Sequence, residues 1–143
     1  MQTTRVLNID ALCITEKELL ESIDSRLKAE SSEGNGVLIT PNLDHLVKLQ
    51  KDEEFYRCYQ KAQWLVCDSK ILYLCSKLLP KSFSEPIPGS SFFTHFYEYE
   101  KDNPDCKIFL CGAMDGVALE AQKRINEKIG REIIIGAYSP YYG

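Results

Sequence analysis

This sequence has no apolar run close to the roughly 18 residues that a bilayer-spanning helix needs. Behind Met1-Gln2-Thr3-Thr4-Arg5 there is no apolar stretch of signal-peptide length either. Both absences predict a cytoplasmic protein. An excess of positive charge is missing too: 17 basic residues stand against 21 acidic ones, for a net charge of -4. Duplex-binding proteins carry a basic face, so no nucleic-acid partner is expected. The six cysteines, Cys13, Cys58, Cys67, Cys75, Cys106 and Cys111, contain no CxxC pair. Zinc sites draw on such pairs, because one turn then presents two thiolates. Most of these cysteines sit in apolar segments such as Trp64-Leu65-Val66-Cys67 and are expected to be reduced, buried thiols packing as small hydrophobes. Neither a disulfide framework nor a metal is expected. There is no internal repeat, low-complexity tract or linker, so residues 1–143 read as one domain.

What is present is an ordinary globular composition, 44% hydrophobic and 27% charged over 143 residues, which is enough for a real core. Short apolar runs alternate with amphipathic ones. Arg5–Ile9 reads as a first strand. Thr15 and Glu18 form a capping box, opening a helix with Leu19, Leu20, Ile23 and Leu27 on one face. Ser31–Gly36 is a polar loop, Val37–Thr40 a buried strand, and Pro41-Asn42 its break before a helix carrying Leu43, Leu46, Val47 and Leu49. Asp52 caps a helix with Phe55, Cys58, Tyr59 and Ala62. Trp64–Cys67 is a third strand, followed by a wide apolar helical face of Ile71, Leu72, Leu74, Cys75, Leu78 and Leu79. Lys81–Gly89 is a loop. Ser90 or Ser91 caps a helix that buries Phe92, Phe93 and Phe96 and ends in a solvated Tyr97–Glu100. Lys107–Cys111 is a strand, Gly112–Gly116 a tight turn, and Val117–Ile129 a helix with Gly130 as its C-terminal cap. Glu132–Tyr138 is a last strand. The pattern predicts an α/β fold, Rossmann-like, with a mainly parallel sheet and helices on both faces. It is expected to be cut short at the C-terminus, since a last strand with no covering helix leaves an apolar edge. That edge favours a homo-oligomer.

Open parallel sheets bind ligands outside the carboxyl ends of their strands. Three places there carry polar residues. Asp68 directly follows four apolar residues; it is either the N-cap of the next helix or a partly desolvated base. Thr40 and Asn42 either cap a helix with Pro41 at its first position or orient a sugar. Gly112–Gly116 joins a strand to a helix, where free N–H groups and the helix dipole bind phosphate. It is not a full G-x-G-x-x-G fingerprint, and a plain turn is an equal reading. His45 and His95 have no evident metal-ligand partner and read as structural or surface residues.

The order of these blocks resembles the WecG/TagA/CpsF glycosyltransferases. The family's Thr-Pro-Asn after a strand is matched by Thr40-Pro41-Asn42, and its Ala-Asp-Gly by Cys67-Asp68-Ser69. Its Glu-Arg-Val-x-Gly-Ser-Asp is matched by Glu85-Pro86-Ile87-Pro88-Gly89-Ser90-Ser91, and its Gly-Gly-x-Pro-Gly-Val-Ala by Gly112–Ala118. The last strand and Tyr141-Tyr142-Gly143 resemble the family's Gly-x-x-x-Gly-Tyr-Phe region. The resemblance implies an inverting, metal-independent hexosyltransferase. It moves N-acetylmannosamine or a related hexosamine from a UDP-sugar to a lipid-diphosphate-linked sugar, for cell-surface polysaccharide or teichoic acid. That places the protein in the cytoplasm, peripherally at the inner face of the membrane. It also implies Asp68 as general base with Thr40 beside it in the catalytic set. Asn42, Gly89, Ser90, Gly112, Ala113, Gly116 and Tyr142 are the implied substrate-binding residues. The chain departs from the pattern where Pro86 stands at the family's Arg, Ser91 at its Asp, Ala113 at its second Gly and Asp115 at its Pro. A non-catalytic α/β module that binds nucleotide or a partner chain is the alternative.

Overall fold

The structure, a computed structural model, describes residues 1–29 and 36–140. Most of the loop expected at Ser31–Gly36 therefore lies outside the described residues, as does Tyr142. The chain divides into two compact units, Met1–Phe93 and Thr94–Gly143, each described here by itself.

The first unit opens with a hairpin, not with the single strand expected over Arg5–Ile9. β1 (Thr3–Val6) and β2 (Ile9–Leu12) pair antiparallel, with Thr3 opposite Leu12 and Val6 opposite Ile9. Leu7 turns the chain at a φ of +53°, which nothing local signals, because left-handed backbone is uncommon for any residue with a Cβ. Asn8 fastens the turn at long range: its Nδ2 donates to Leu49 O at 3.0 Å and its Oδ1 accepts from Gln50 Nε2 at 2.7 Å.

α1 (Glu16–Leu27) begins at the expected capping box. The Thr15 hydroxyl accepts from the Glu18 N–H, and the Glu18 carboxylate accepts from the Thr15 N–H at 2.8 Å. Leu19 and Leu20 are buried, while Leu27 is exposed. Trp64 fastens this helix to β4 (Trp64–Leu65): its Nε1 donates to Ser22 Oγ at 3.0 Å, and the Arg26 guanidinium lies 5.7 Å from its ring. β3 (Leu38–Ile39) runs parallel to β4, Leu38 opposite Trp64 and Ile39 opposite Leu65. It is shorter and less buried than the strand expected over Val37–Thr40, with Val37 exposed; the Trp64–Cys67 run is buried throughout.

α2 (Leu43–Lys48) and α3 (Glu53–Tyr59) follow their caps, Asn42 and Asp52. Leu46, Leu49 and Tyr59 join Ile9, Ala11, Leu65, Cys67 and Phe83 in one apolar cluster. α4 (Lys70–Ser76) is only two turns long, and its expected wide apolar face is not buried. Leu72 and Tyr73 pack on the cluster. On that same side the buried Ser76 Oγ donates to Tyr73 O at 2.7 Å and accepts from the Phe83 N–H at 3.1 Å. The packed side is thus set by Leu72, Tyr73 and Ser76, which turns Ile71, Leu74, Cys75, Leu78 and Leu79 outward.

α5 (Gly89–Tyr99) starts ahead of the expected Ser90 or Ser91 cap. The Phe92 N–H donates to Pro88 O at 2.9 Å, so both serines lie inside the first turn. Phe92 is buried and Phe93 and Phe96 are half-buried. The helix end is not solvated as expected: Tyr97 and Glu100 are buried.

In the second unit, β5 (Ile108–Cys111) and β6 (Ile134–Tyr138) pair in parallel around α6 (Val117–Ile129). Phe109 lies opposite Gly136, where a Cβ would stand 2.7 Å from the Phe109 ring; the glycine makes room for the aromatic side chain. The α6 side chain of Asn126 clamps Ile134, accepting from its N–H at 2.8 Å and donating to its carbonyl at 2.9 Å. Arg131 donates to the carbonyls of Glu100, Lys101 and Asn103 and so shapes the loop before β5. α6 ends at Gly130 with φ +77°, the expected cap. Among the described residues two of the three strand pairs are parallel, and one or two helices separate successive strands after the hairpin. This is the expected mixed α/β, Rossmann-like class, with short sheets.

Candidate functional site at the strand ends

Because β3 and β4 are parallel, their carboxyl ends lie side by side. The Val66 N–H donates to Ile39 O at 3.1 Å, carrying the pairing up to the residues just before Thr40 and Asp68. A third segment closes on the same place: the Ile87 N–H donates to Cys67 O at 2.7 Å. Two residues on, Gly89 packs against Thr40 so closely that a Cβ would stand 2.7 Å from Thr40 Oγ1. Three blocks that are far apart in sequence, Thr40-Pro41-Asn42, Cys67-Asp68-Ser69 and Ile87-Pro88-Gly89, therefore converge. Thr40, Asp68 and Gly89 are half-buried, and Asn42 and Ser90 are exposed.

The caps decide which side chains remain available. Asp68 is not the N-cap of α4. Ser69 is: its Oγ accepts from the Leu72 N–H at 3.3 Å. Asn42 caps α2, its Oδ1 accepting from the His45 N–H at 2.9 Å. Pro41 therefore precedes the cap and does not occupy the first helical position, and Thr40 takes no part in capping. Only the amide group of Asn42 is left to donate elsewhere.

Cys67 donates its thiol to Ser69 O at 3.3 Å. Burial holds this thiol above its ordinary pKa, partly countered by that hydrogen bond and reinforced by the charge of Asp68. It stays protonated at neutral pH and is no nucleophile. His45 is structural, as expected. Its Nδ1 lies 2.7 Å from the Tyr59 hydroxyl and its ring packs edge-on to Phe55, centroids 5.5 Å apart. Burial pushes the Tyr59 hydroxyl up to about 12. His95 is exposed on α5.

Sequence reasoning passed over Glu85. Its carboxylate accepts from the Glu16 N–H at the start of α1, where a helix carries partial positive charge. This contact anchors the start of the Pro86–Gly89 segment. No local pattern announces it, because both partners are set by the tertiary fold.

In the second unit, Gly112 (φ +130°), Ala113 (φ +63°) and Gly116 (φ +75°) swing the chain from β5 into α6. The Gly112 N–H extends the parallel pairing to Tyr138 O at 2.9 Å, and the Val117 N–H closes on Met114 O at 3.1 Å. Gly116 caps α6 with no side-chain bond. Ala113 holds the left-handed conformation despite its Cβ. Gly112 and Gly116 face open space, so their need for glycine comes from φ alone.

Two open pockets in the first unit lie elsewhere. One of about 400 Å³ is lined by Asn8, Asp10, Tyr56 and Tyr59, and one of about 610 Å³ by Gln2, Cys13, Glu18 and Ser22. Neither includes Thr40 or Asp68, and the convergence of three motif blocks carries more chemical content than either volume. All six cysteines are free. Cys67 and Cys106 are buried as expected, but Cys58, Cys75 and Cys111 are exposed on the outer sides of short elements. Among the described residues, no group of three or more His, Cys, Asp or Glu side chains is placed to hold a metal ion. No helix among them is long and apolar enough to cross a membrane.

A parallel α/β chain whose polar residues gather at the strand ends falls in the broad class of Rossmann-like ligand-binding folds. Within that class, this chain belongs to the WecG/TagA/CpsF family of glycosyltransferases, whose model matches residues 4–143. The family acts in the synthesis of cell-surface polysaccharides, with sugar-nucleotide donors and lipid-linked acceptors. A search of the curated proteins returns no match.

Proposed function

We propose that the chain transfers a hexosamine, N-acetylmannosamine or a close relative, from a UDP-sugar to a lipid-diphosphate-linked sugar at the inner face of the membrane. The product is a precursor of surface polysaccharide or teichoic acid. The observation that carries this reading is the convergence of Thr40, Asp68 and Gly89 at the carboxyl ends of a parallel pair, within a chain of this family. The Asp68 carboxylate takes the proton of the acceptor hydroxyl. That oxygen forms a bond to the anomeric carbon from the face opposite UDP, the bond to the diphosphate oxygen breaks, and UDP leaves with its electron pair. Configuration inverts, and no metal takes part. Thr40 and Asn42 orient the sugar or acceptor, and Gly89 and Ser90 line the same place. The Gly112–Gly116 turn of the second unit is by itself a candidate phosphate-binding turn, through the N–H groups from Ala113 to Gly116.

The test is UDP release from UDP-N-acetylmannosamine with a short-chain lipid-diphosphate N-acetylglucosamine acceptor. Asp68→Asn removes the base and keeps the shape, and general-base catalysis contributes on the order of 10²–10⁴-fold. Acceptor-dependent release that falls by that factor in the variant supports the reading. Equal release from parent and variant removes Asp68 from the role. Pro86 at the position of the family's arginine favours the second reading, a module that binds nucleotide without turnover. UDP binding with no release from the parent chain is its signature.

A further inference from the structure

Between α4 and α5 the chain runs from Lys81 to Pro88 without a helix or strand of its own. It is held instead as a strap by other parts of the first unit. The buried Thr4 on β1 donates its hydroxyl to Lys81 O at 2.6 Å, and Ser76 Oγ accepts from the Phe83 N–H at 3.1 Å. The Glu85 carboxylate accepts from the Glu16 N–H, and the Ile87 N–H donates to Cys67 O at 2.7 Å. Phe83 and Ile87 are buried along the way. The fastenings fall on every second residue, Lys81, Phe83, Glu85 and Ile87, and the strap ends on Gly89 against Thr40.

The Glu85 fastening answers no need of the helix it reaches. α1 already starts at its capping box, in which Thr15 serves the Glu18 N–H and Glu18 serves the Thr15 N–H. The helix is therefore capped without Glu85, and what the bond fixes is the strap. A carboxylate suits that place, because the first turn of a helix carries partial positive charge and N–H bonds to carboxylates are roughly twice as strong as neutral ones. Pro86 and Pro88 carry the placement forward. Each fixes its own φ, and each turns the residue before it, Glu85 or Ile87, away from helical backbone. Few soft torsions remain between Glu85 and Gly89, so a shift at the one is passed to the other rather than absorbed.

We propose that Glu85 is a positioning residue of the strand-end site. Its bond to the start of α1 sets where Gly89 meets Thr40, and with it the placement of the Thr40 hydroxyl and of the first turn of α5 beside Asp68. Glu85 touches no reacting atom and acts through Pro86–Gly89. This role rests on the transferase reading for its effect on turnover, and on the fold alone for its effect on the Gly89–Thr40 contact.

The test has a kinetic arm and a stability arm. The first is UDP release from UDP-N-acetylmannosamine with the short-chain lipid-diphosphate N-acetylglucosamine acceptor, measured per folded molecule. Misplacement by about 1 Å costs on the order of 100-fold, so Glu85→Ala should lower kcat by about 10- to 100-fold, with a smaller change in KM. Glu85→Gln keeps an acceptor oxygen at the same place and should restore most of kcat. Asp52→Ala removes the α3 cap, outside the site, and should lower Tm while leaving kcat unchanged. The stability arm needs no turnover: a double-mutant cycle in urea between Glu85→Ala and Gly89→Ala. With the strap loosened, the new methyl group presses less on Thr40, so the effect of Gly89→Ala on the unfolding constant should be about 3-fold or more milder than in the parent. A kcat that Glu85→Ala leaves unchanged, or that Glu85→Gln fails to restore, overturns the proposal. So do unfolding constants that multiply within about 2-fold across the cycle. A parent that releases no UDP fails the transferase reading, and the urea cycle then decides the role of Glu85 by itself.

Discussion

Gly89→Ala is the sharpest probe of the convergence at the strand ends. The new methyl carbon would stand 2.7 Å from Thr40 Oγ1, with Thr40 Cβ at 3.5 Å and Cγ2 at 3.6 Å. The first distance is well inside the roughly 3.5 Å at which nonbonded heavy atoms rest. Thr40 is β-branched and stiff at χ1, so moving its hydroxyl away means leaving its rotamer. Overpacking of this kind costs about 1–3 kcal/mol. Against it stands a helix-propensity gain of up to about 1 kcal/mol, because Gly89 opens α5. The net loss is about 0–3 kcal/mol, read as a fall of up to about 12 °C in Tm for a chain near this size. Thr40→Ser removes the methyl group and frees the hydroxyl to rotate. The double variant Thr40→Ser with Gly89→Ala should then recover stability, with a coupling energy above about 0.5 kcal/mol between the two sites. The assay is a double-mutant cycle in urea, run beside UDP release. If Gly89→Ala raises Tm and the two substitutions add within about 0.3 kcal/mol, Gly89 and Thr40 are not in contact, and the site assembled on that contact is wrong.

Asn126→Ala strands the buried Ile134 N–H, since Asn126 Oδ1 is its acceptor at 2.8 Å, while Gln122 Nε2 still serves the Ile134 carbonyl at 3.0 Å. One unsatisfied donor predicts a loss of about 1–3 kcal/mol in urea unfolding, and a loss below about 0.5 kcal/mol contradicts the clamp. Tyr59 gives a pH dependence. Its hydroxyl sits at about 12 in the folded chain against 10.0 ordinarily, so the unfolded chain ionises first. The associated stability is present below pH 10 and is lost as pH rises from about 10 to 12, by an amount on the order of 2 kcal/mol. Tyr59→Phe should flatten that part of the stability curve and lower the plateau through loss of the His45 contact. An unchanged slope between pH 10 and 12 refutes the assignment.

The fold class was legible because its signals are local. The Thr15–Glu18 capping box, the Asp52 cap and the Gly130 stop each satisfy helix-end groups within a few residues, and each stands where expected. What escaped was decided at long range. The hairpin at Leu7-Asn8 depends on Asn8 reaching Leu49 and Gln50, so five residues that read as one strand are bent. The segment over α4 read as one wide apolar face, and helical spacing reports which side chains share a side, not which side meets the protein. Ser76 and Phe83 settle that, through a buried bond that hydrophobic pattern does not register. Tyr97 and Glu100 were misplaced for a related reason. Glu100 Oε2 is held by Asn103 Nδ2 at 2.6 Å and Oε1 is buried with no hydrogen-bond partner among the described residues, an arrangement that a run of Tyr and Glu gives no cause to expect.

At the site, sequence position ranked capping as the plain role for Asp68 and could go no further. Ser69 changes the weighing. With a hydroxyl at the next position taking the Leu72 N–H, α4 has its cap, and the carboxylate of Asp68 is not needed to start the helix. A chain that wanted only a helix start after Cys67 has one without Asp68. The residue instead stands half-buried where β4 ends, beside the segment that the Ile87 N–H fastens to Cys67 O. Asp68→Asn and Ser69→Ala therefore separate the two roles. Removing the Ser69 cap should cost about 0.5–2 kcal/mol of stability and leave UDP release per folded molecule unchanged. Asp68→Asn should do the reverse, sparing Tm and stopping release. If Asp68→Asn lowers stability by as much as Ser69→Ala does and leaves turnover intact, then Asp68 is a structural residue of the α4 start and the base must be sought elsewhere.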